Sequence, residues 1–217
     1  MTQFEQLRAK MVDSQLRTSG VTEQALLAEM ARVPRERFVP AGREAVAYID
    51  DFHWFGDVNR RFMMPPATLA KLLQLAEITR DDRVLDIGAA SGYATAVIAG
   101  LAGSVVGLEA DAGLAARAST TLGDMGITNA SIVAGGMAAV GQSTFDVILV
   151  EGALDRVPEA MLAALRDGGR LIALIRTGGV SVANVFVKTG NAIAARGEFN
   201  ATLPSLEHTQ SAPEFNF

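Results

Sequence analysis

The chain has 217 residues and a formal net charge of −5, and 49% of its residues are hydrophobic. This composition predicts a folded domain rather than a disordered chain, and the acidic balance argues against general binding to nucleic acid. The sequence holds no cysteine and two histidines, His53 and His208. Disulfides, thiolate metal sites, cysteine nucleophiles and a histidine-rich metal cluster are therefore excluded, and we expect no bound metal.

The N-terminal residues carry both signs of charge and lack the long apolar core of a signal peptide. No apolar run approaches the roughly 20 residues that a membrane span needs. We therefore expect a cytoplasmic protein without a membrane partner, and the sequence leaves its oligomeric state open.

Residues 1–65 are predicted to form an N-terminal helical segment. Its first helix is indicated by apolar residues at roughly helical spacing, namely Phe4, Leu7, Met11 and Leu16. A second helix is predicted to begin at Thr22 and to end at Pro34. The stretch 50–64 that follows is rich in aromatic residues, and we expect it to be irregular because Gly56 and Asn59 are turn signals.

From Pro65 onward, strands and helices alternate. A helix is predicted to start at Pro65, and further elements are predicted as strands over 83–87, 104–109, 130–134, 145–150 and 170–175 and helices over 93–101, 112–125 and 158–166. The strands are apolar without alternation, which predicts a parallel sheet buried on both faces. The fold class is therefore α/β, a doubly wound Rossmann-like sheet.

The end of the chain differs from the alternating part. An antiparallel hairpin over 181–189 and 192–199 is predicted to turn at Gly190 and Asn191. The polar tail 207–217 is expected to be poorly ordered. We expect a single domain overall, made of the N-terminal segment, a core over 66–206 and this tail.

The strongest functional pattern is VLDIGAASGY at 84–93, at the end of the first predicted strand of the core. Gly88 and Gly92 permit a tight turn and a close approach of a ligand to the backbone, and the N–H groups that open the next helix favour an anionic group. Glu109 ends the following strand, 21 residues after Gly88, where an acid accepts hydrogen bonds from ribose hydroxyls. The alternative is a turn with a structural role alone.

The pattern also discriminates among nucleotide-like ligands. A dinucleotide site needs glycine at positions 88, 90 and 93, whereas this chain has Ala90 and Tyr93, so NAD is disfavoured. No Gly-Lys-Ser/Thr follows, which excludes a phosphate P-loop. Asp86, two residues before the first glycine, together with Gly92 is typical of S-adenosylmethionine methyltransferases.

Four segments in order resemble the protein-L-isoaspartate O-methyltransferase family: VPRERFVP at 33–40, VLDIG with SGY at 84–93, FDVILV at 145–150 and GGRL at 168–171. The resemblance covers residues 11–206. It implies a cytoplasmic α/β enzyme that uses S-adenosylmethionine to methylate the misplaced α-carboxylate of an isoaspartyl residue, so that the ester can close to a succinimide in protein repair. Isoaspartyl peptides or proteins would be the acceptors.

The glycine pattern and the resemblance together predict the cofactor contacts. They are Asp86, Gly88, Ala89, Ala90, Ser91, Gly92, Tyr93, Glu109, Ala110, Gly135, Gly136, Met137 and Glu151.

The sequence departs from the family at four places. Met64 stands where the family has a serine that helps to hold the substrate, and Gly135 stands where it has an acid beside the adenine. Ala90 replaces a glycine, a mild change if its φ is negative, and Glu151 brings a charge to a position that is small and neutral in the family. We therefore predict retained cofactor binding and weak methylation of isoaspartyl peptides.

Several residues have two interpretations. The aromatic stretch 52–55 is predicted to anchor the N-terminal segment, and its alternative role is to line the acceptor pocket; His53 is a candidate for orienting a substrate carboxylate. Arg60 and Arg61 are predicted to be solvated surface cations, with attraction of an acidic acceptor as the alternative. For the whole chain, the alternatives are a methyltransferase with another acceptor or a cofactor-binding regulatory module.

Overall fold

Helical turns of several kinds build the N-terminal segment in the computed structural model, which describes residues 2–56, 61–178 and 180–206. Helix α1 (Gln3–Met11) continues into a π-helical turn over Val12–Leu16. Met11 and Leu16 are five positions apart, and the wider π turn lets both side chains be buried. Helix α2 (Gln24–Arg32) begins two residues later than predicted, because the Glu23 carboxylate accepts N–H bonds and caps it.

A short hairpin occupies the stretch that was predicted to be irregular. Strand β1 (His53–Phe55) pairs antiparallel with β2 (Arg61–Met63). The rings of Phe52, Trp54 and Phe62 pack together with centroids 5.5–5.7 Å apart. Phe52 and Trp54 also pack against the core cluster, in agreement with the predicted anchoring role of the aromatic stretch.

The large sheet follows the predicted alternation. Its elements are α3 (Pro66–Ala76), β3 (Arg83–Ile87), α4 (Tyr93–Ala99), β4 (Ser104–Glu109), α5 (Ala112–Asp124), β5 (Ala130–Ala134), β6 (Phe145–Leu154), α6 (Glu159–Ala163), β7 (Leu165–Thr177), β8 (Val180–Thr189) and β9 (Ala192–Ala201). Within the described ranges the strand order of this sheet is β5-β4-β3-β6-β7-β8-β9. Strand β8 runs antiparallel to both of its neighbours, β7 and β9. The predicted Rossmann-like class and the hairpin after β7 are confirmed.

Two strands are longer than predicted, and this changes the position of Glu151. Strand β6 runs on to Leu154 because residues 203–206 pair beside it: Ala153 N–H donates to the carbonyl of Pro204 at 2.9 Å, and Leu206 N–H donates back at 3.0 Å. Glu151 therefore lies within β6, where the register to β7 shifts between Leu149 and Ala153, rather than after the strand. Strand β7 likewise extends through the predicted glycine turn, which leaves α6 only five residues long.

One hydrophobic cluster joins the N-terminal segment to the sheet. Met30 and Phe38 belong to the same buried set as Leu72, Val97 and Val147. In the described ranges no helix is long and apolar enough to cross a membrane. The tail 207–217, predicted to be poorly ordered, lies outside the described residues.

The chain leaves β3 toward β4 and β5 on one side and returns to β6 on the other. In such sheets, ligands bind outside the carboxyl ends of the strands at this reversal. The topology therefore directs attention to the ends of β3, β4 and β6.

Candidate cofactor site

The turn after β3 brings its backbone close to other parts of the chain. Gly88 has φ +86° and Gly92 has φ +85°, conformations that favour glycine. A Cβ atom at Gly88 would lie 2.8 Å from Leu206 Cδ1 and 3.0 Å from Arg61 Nη2. Glycine is thus required here both for conformation and for space.

Ala90 corrects one expectation. Its φ is +45°, not negative, so an alanine occupies the left-handed region at a cost of about 1–2 kcal/mol. Its N–H donates to Glu109 Oε2 at 2.7 Å. This bond to a buried carboxylate holds the turn in that conformation.

Glu109 is fully buried and accepts hydrogen bonds from three sources. Oε1 accepts from the N–H of Asp111 at 2.8 Å. Oε2 accepts from the N–H of Ala90 and from Arg61, whose Nε and Nη2 lie 3.2 and 2.9 Å away. The acid predicted to bind ribose is thus in place, and in this structure it is paired with an arginine.

Arg61 is therefore not the solvated surface cation that was predicted, and Arg60, for which the same was predicted, lies outside the described residues. Its side chain is 6% exposed. Strand β2 places Arg61 and Met63 on the face turned toward the glycine turn, where the Ser91 hydroxyl donates to Met63 Sδ at 3.6 Å. The sequence could not reveal this pairing, because Arg61 and Glu109 are 48 positions apart.

Two further acids, Asp86 and Glu151, lie beneath the turn on the adjacent strands β3 and β6. Asp86 in β3 accepts from Thr95 Oγ1 at 2.6 Å. Asp86 Oδ1 and Glu151 Oε1 are both buried without a hydrogen-bond partner among the described residues. Because an ionised carboxylate can only accept hydrogen bonds, the two carboxyls can bond to each other only when one of them holds a proton. Burial raises the pKa of Asp86 to about 6, and burial together with the nearby Asp86 raises the pKa of Glu151 well above its usual value.

A cavity of about 240 Å³ opens over the glycine turn. The predicted contacts that line it are Gly88, Ala110, Gly135, Gly136 and Met137, and the lining residues missed by the sequence analysis are Arg61, Ile87, Leu108, Leu154, Pro158, Met161 and Leu206. The volume is below the roughly 300–1,000 Å³ usual for ligand sites, since Arg61 and Leu206 lie against Gly88. The rule that ligands bind at strand ends could have found Ile87, the last residue of the predicted strand β3.

Four predicted contacts instead shape the turn from below. Tyr93 packs edge-on against Phe38 at 5.6 Å and donates its hydroxyl to Met30 Sδ, in the core. A Cβ at Gly92 would lie 3.1 Å from Ala118 Cβ, so this glycine allows α5 to pack closely. Ala89 is buried, and Ser91 contacts β2 as described above.

The two candidates for the acceptor side are both buried away from the cavity. Met64 is fully buried, and its carbonyl accepts from Arg35 Nη2 at 2.6 Å. Burial and the nearby Arg35 charge lower the pKa of His53 to about 4, so its ring is neutral at pH 7. Neither residue lines the described cavities.

The segment 33–40 has a structural explanation in Arg35. Its guanidinium is buried, donates from Nε to the carbonyl of Ala47 at 2.8 Å, and lies 4.7 Å from the centre of the Tyr93 ring. With the bond to Met64, Arg35 joins the N-terminal segment, the residues before α3 and the start of α4.

A second cavity of about 360 Å³ lies on the other side of Arg61. It is lined by Pro40, Phe55, Gly56, Arg61, Asp111, Gly113, Leu114 and Arg117. Phe55 thus lines this cavity, whereas Phe52, His53 and Trp54 line neither of these two cavities. Among the described residues, no group of three or more His, Cys, Asp or Glu is arranged to hold a metal ion.

The sheet order, the glycine turn at its reversal point and the acid ending the next strand define a Rossmann-like methyltransferase of the kind that uses S-adenosylmethionine. The model of the protein-L-isoaspartate(D-aspartate) O-methyltransferase family matches residues 6–202, and the chain belongs to that family.

Individual proteins agree with this assignment. The chain is 38% identical over 176 residues to a protein-L-isoaspartate O-methyltransferase from Koribacter versatilis, covering 79% of this chain and 78% of that protein. It is 38% identical over 169 residues to one from Gloeobacter violaceus, with 77% and 82% covered.

Two solved structures share the fold. One, a protein-L-isoaspartate O-methyltransferase, has a TM-score of 0.81 at 24% identity, covering 91% of this chain; this chain spans 65% of that one. The other, from Plasmodium falciparum and in complex with S-adenosyl-L-homocysteine, has a TM-score of 0.79 at 20% identity, covering 95% and 99%.

Proposed function

We propose that this protein transfers a methyl group from S-adenosylmethionine to the α-carboxylate of isoaspartyl residues. The observation that carries this proposal is that a chain of this family brings the glycine turn and the residues after β5 to one crevice, with Glu109 hydrogen-bonded to that turn.

The residues present fit the cofactor. Glu109 would bind the ribose hydroxyls, and Ala110 and the stretch 135–137 would line the base. Asp86 and Glu151 would face the amino-acid end, because both keep a buried oxygen atom without a described partner. Unpaired buried acceptors are costly, and a cationic ligand group satisfies them. When bound, S-adenosylmethionine supplies a methyl group that its sulfonium already activates.

The chemistry asks little of the protein in acid–base terms. A carboxylate acceptor is ionised at pH 7 and needs no general base. The neutral, buried His53 is in keeping with this. The residues around the cavity would act by aligning the two reactants and by excluding water.

The acceptor side is where this chain departs most from its family. A serine hydroxyl that holds a substrate contributes about 0.5–1.5 kcal/mol, whereas position 64 of this chain is a fully buried methionine that lines neither described cavity. We predict that isoaspartyl peptides are methylated slowly unless another side chain holds the acceptor carboxylate.

The test is transfer of a labelled methyl group to an isoaspartyl peptide, scored as base-labile label, with the matching aspartyl peptide as the control. Binding of S-adenosylhomocysteine is measured on the same preparation by calorimetry. Label on the isoaspartyl peptide alone supports the proposal. Cofactor binding without transfer indicates a regulatory module, and transfer only to another acceptor indicates a different substrate.

A further inference from the structure

Arg61 lies at the boundary between the two cavities and lines both of them. Its guanidinium contacts Glu109 Oε2 through Nε and Nη2, and Nη2 also approaches Gly88. One side chain thus covers the carboxylate proposed to bind ribose and separates the space over the glycine turn from the space beside α5.

Arg61 and a ribose would compete for Glu109. Oε2 already accepts three N–H groups at 2.7–3.2 Å, whereas a carboxylate oxygen offers about two lone-pair sites. A hydroxyl can take its place at this oxygen only if the guanidinium withdraws.

The electrostatics favour an exchange of one cation for another. Burial, together with the nearby charges of Asp86 and Glu109, raises the pKa of Glu151, and the Arg61 charge opposes this rise. Removing the guanidinium alone would leave three buried acids poorly neutralised. A ligand with its own positive groups compensates for this loss, so withdrawal of Arg61 and binding of the cofactor support each other.

The displaced guanidinium remains tethered to β2. The second cavity, which Arg61 already lines together with Arg117, offers it space. A guanidinium fork matches a carboxylate with two parallel hydrogen bonds, and a carboxylate is the reacting group of the proposed acceptor.

We propose that Arg61 exchanges partners: it covers Glu109 in the free protein and binds the acceptor carboxylate once the cofactor occupies Glu109. This inference rests on the proposed function. It supplies a charged donor three positions before Met64, where the family's serine hydroxyl is missing, and it makes the cofactor bind before the acceptor.

The experiment compares Arg61→Gln with the wild type, and Arg117→Gln serves as the matched control because Arg117 is an exposed residue of the same cavity. S-Adenosylhomocysteine is titrated into the free protein, and an isoaspartyl peptide is titrated into the saturated complex. In Arg61→Gln we expect S-adenosylhomocysteine to bind roughly tenfold more tightly and the peptide roughly tenfold more weakly, the scale of a charge-assisted pair. Arg117→Gln should leave the affinity for S-adenosylhomocysteine unchanged.

Opposite shifts of the two affinities support the exchange. Weaker or unchanged binding of S-adenosylhomocysteine by Arg61→Gln overturns it, and so does unchanged peptide affinity. Should the glutamine variant fail to fold, Arg61→Lys keeps the charge without the fork and is expected to show the same two directions at smaller size; equal affinities to the wild type overturn the proposal. Failure of the proposed function is separate, since it is seen in the wild type alone, as a protein that does not methylate the isoaspartyl peptide.

Discussion

The N–H of Ala90 donates to Glu109 Oε2 at 2.7 Å while Ala90 holds φ +45°. The same carboxylate oxygen accepts from Arg61. One oxygen atom therefore fixes both the conformation of the glycine turn and the position of the arginine that covers the site. A change at any of these three residues is transmitted to the other two.

Ala90→Gly should stabilise the protein. Glycine removes the left-handed strain of about 1–2 kcal/mol, and its greater freedom in the unfolded chain takes back part of this, so a net gain of about 0.5–1 kcal/mol is expected in urea unfolding. Ala89→Gly is the matched control, because Ala89 is buried in the same turn without a positive φ. The Ala89→Gly variant should lose about 0.5–1 kcal/mol of unfolding free energy. Equal effects of the two changes would contradict the backbone strain at Ala90.

Glu109→Gln should weaken S-adenosylhomocysteine binding at least tenfold, roughly 1.4 kcal/mol or more. The glutamine keeps the shape of the side chain but loses the charge and offers only one acceptor oxygen. Calorimetry measures the affinity. Circular dichroism checks that the protein stays folded when the buried Arg61 loses its charged partner. An unchanged dissociation constant would remove Glu109 from the site.

Gly135→Asp should lower stability even though the family carries an acid there. Gly135 has φ +127°, and an added Cβ would lie 3.3 Å from Ala139 Cβ; an L residue in this conformation costs about 1–3 kcal/mol. Gly136 has φ −97°, and no described atom lies within 4 Å of its added Cβ. Gly136→Asp should therefore leave the melting temperature nearly unchanged. A smaller loss of stability at position 135 than at position 136 would contradict the expected backbone strain at Gly135.

Glu151→Gln should stabilise the free protein at high pH. Burial and the charge of Glu109 raise the folded pKa of Asp86 to about 6, although hydrogen bonds from Thr95 and Glu151 oppose the rise. Burial and the charges of Asp86 and Glu109 raise the folded pKa of Glu151 well above its usual value, and the Arg61 charge opposes this rise. Acids with raised pKa values bind protons more tightly when folded, so the free energy of unfolding falls as the pH rises above about 4 toward and beyond 6.

The variant should therefore have the higher melting temperature at pH 8, and the difference should vanish near pH 4. Thermal unfolding across this range measures it. If Glu151 meets the amino-acid end of the cofactor, the same variant binds S-adenosylhomocysteine less tightly. A constant difference at all pH values would show that the pair does not titrate.

Met64→Ser should not restore isoaspartyl activity. Met64 is fully buried and lines neither described cavity, so the change leaves a void and a buried hydroxyl, at a cost of about 2–4 kcal/mol in unfolding free energy. The measurement is denaturant unfolding together with the methyl-transfer assay. A rise in activity without loss of stability would place position 64 at the acceptor after all.

The sequence predicts the frame of the site because its signals are local. Gly88 and Gly92 bound the turn, and Glu109 ends the next strand at the expected distance. The length of strand β6 was underestimated, since Ala153 near its end pairs with Ser205, 52 positions away. The hairpin of β1 and β2 escaped prediction because each strand has three residues, too few to show a period.

The side chains that fill the site were beyond local reasoning. The residue type at position 61 does not show whether the arginine is exposed or buried, and only the fold brings Arg61 to Glu109. Leu206 reaches Gly88 from the last described residues of the chain. The φ of Ala90 is likewise a property of the turn as a whole, since alanine favours negative φ by itself.

Residues 203–206 pair with the end of β6, and Leu206 packs against both Gly88 and Gly152. Arg61 reaches the same turn from strand β2. During synthesis, the wall of this site is therefore incomplete until Leu206 has left the ribosome. A cofactor that selects the closed site then favours nascent chains that include Leu206 over those that do not, and a protein that ends at residue 202 should retain most of its strands while losing this selection.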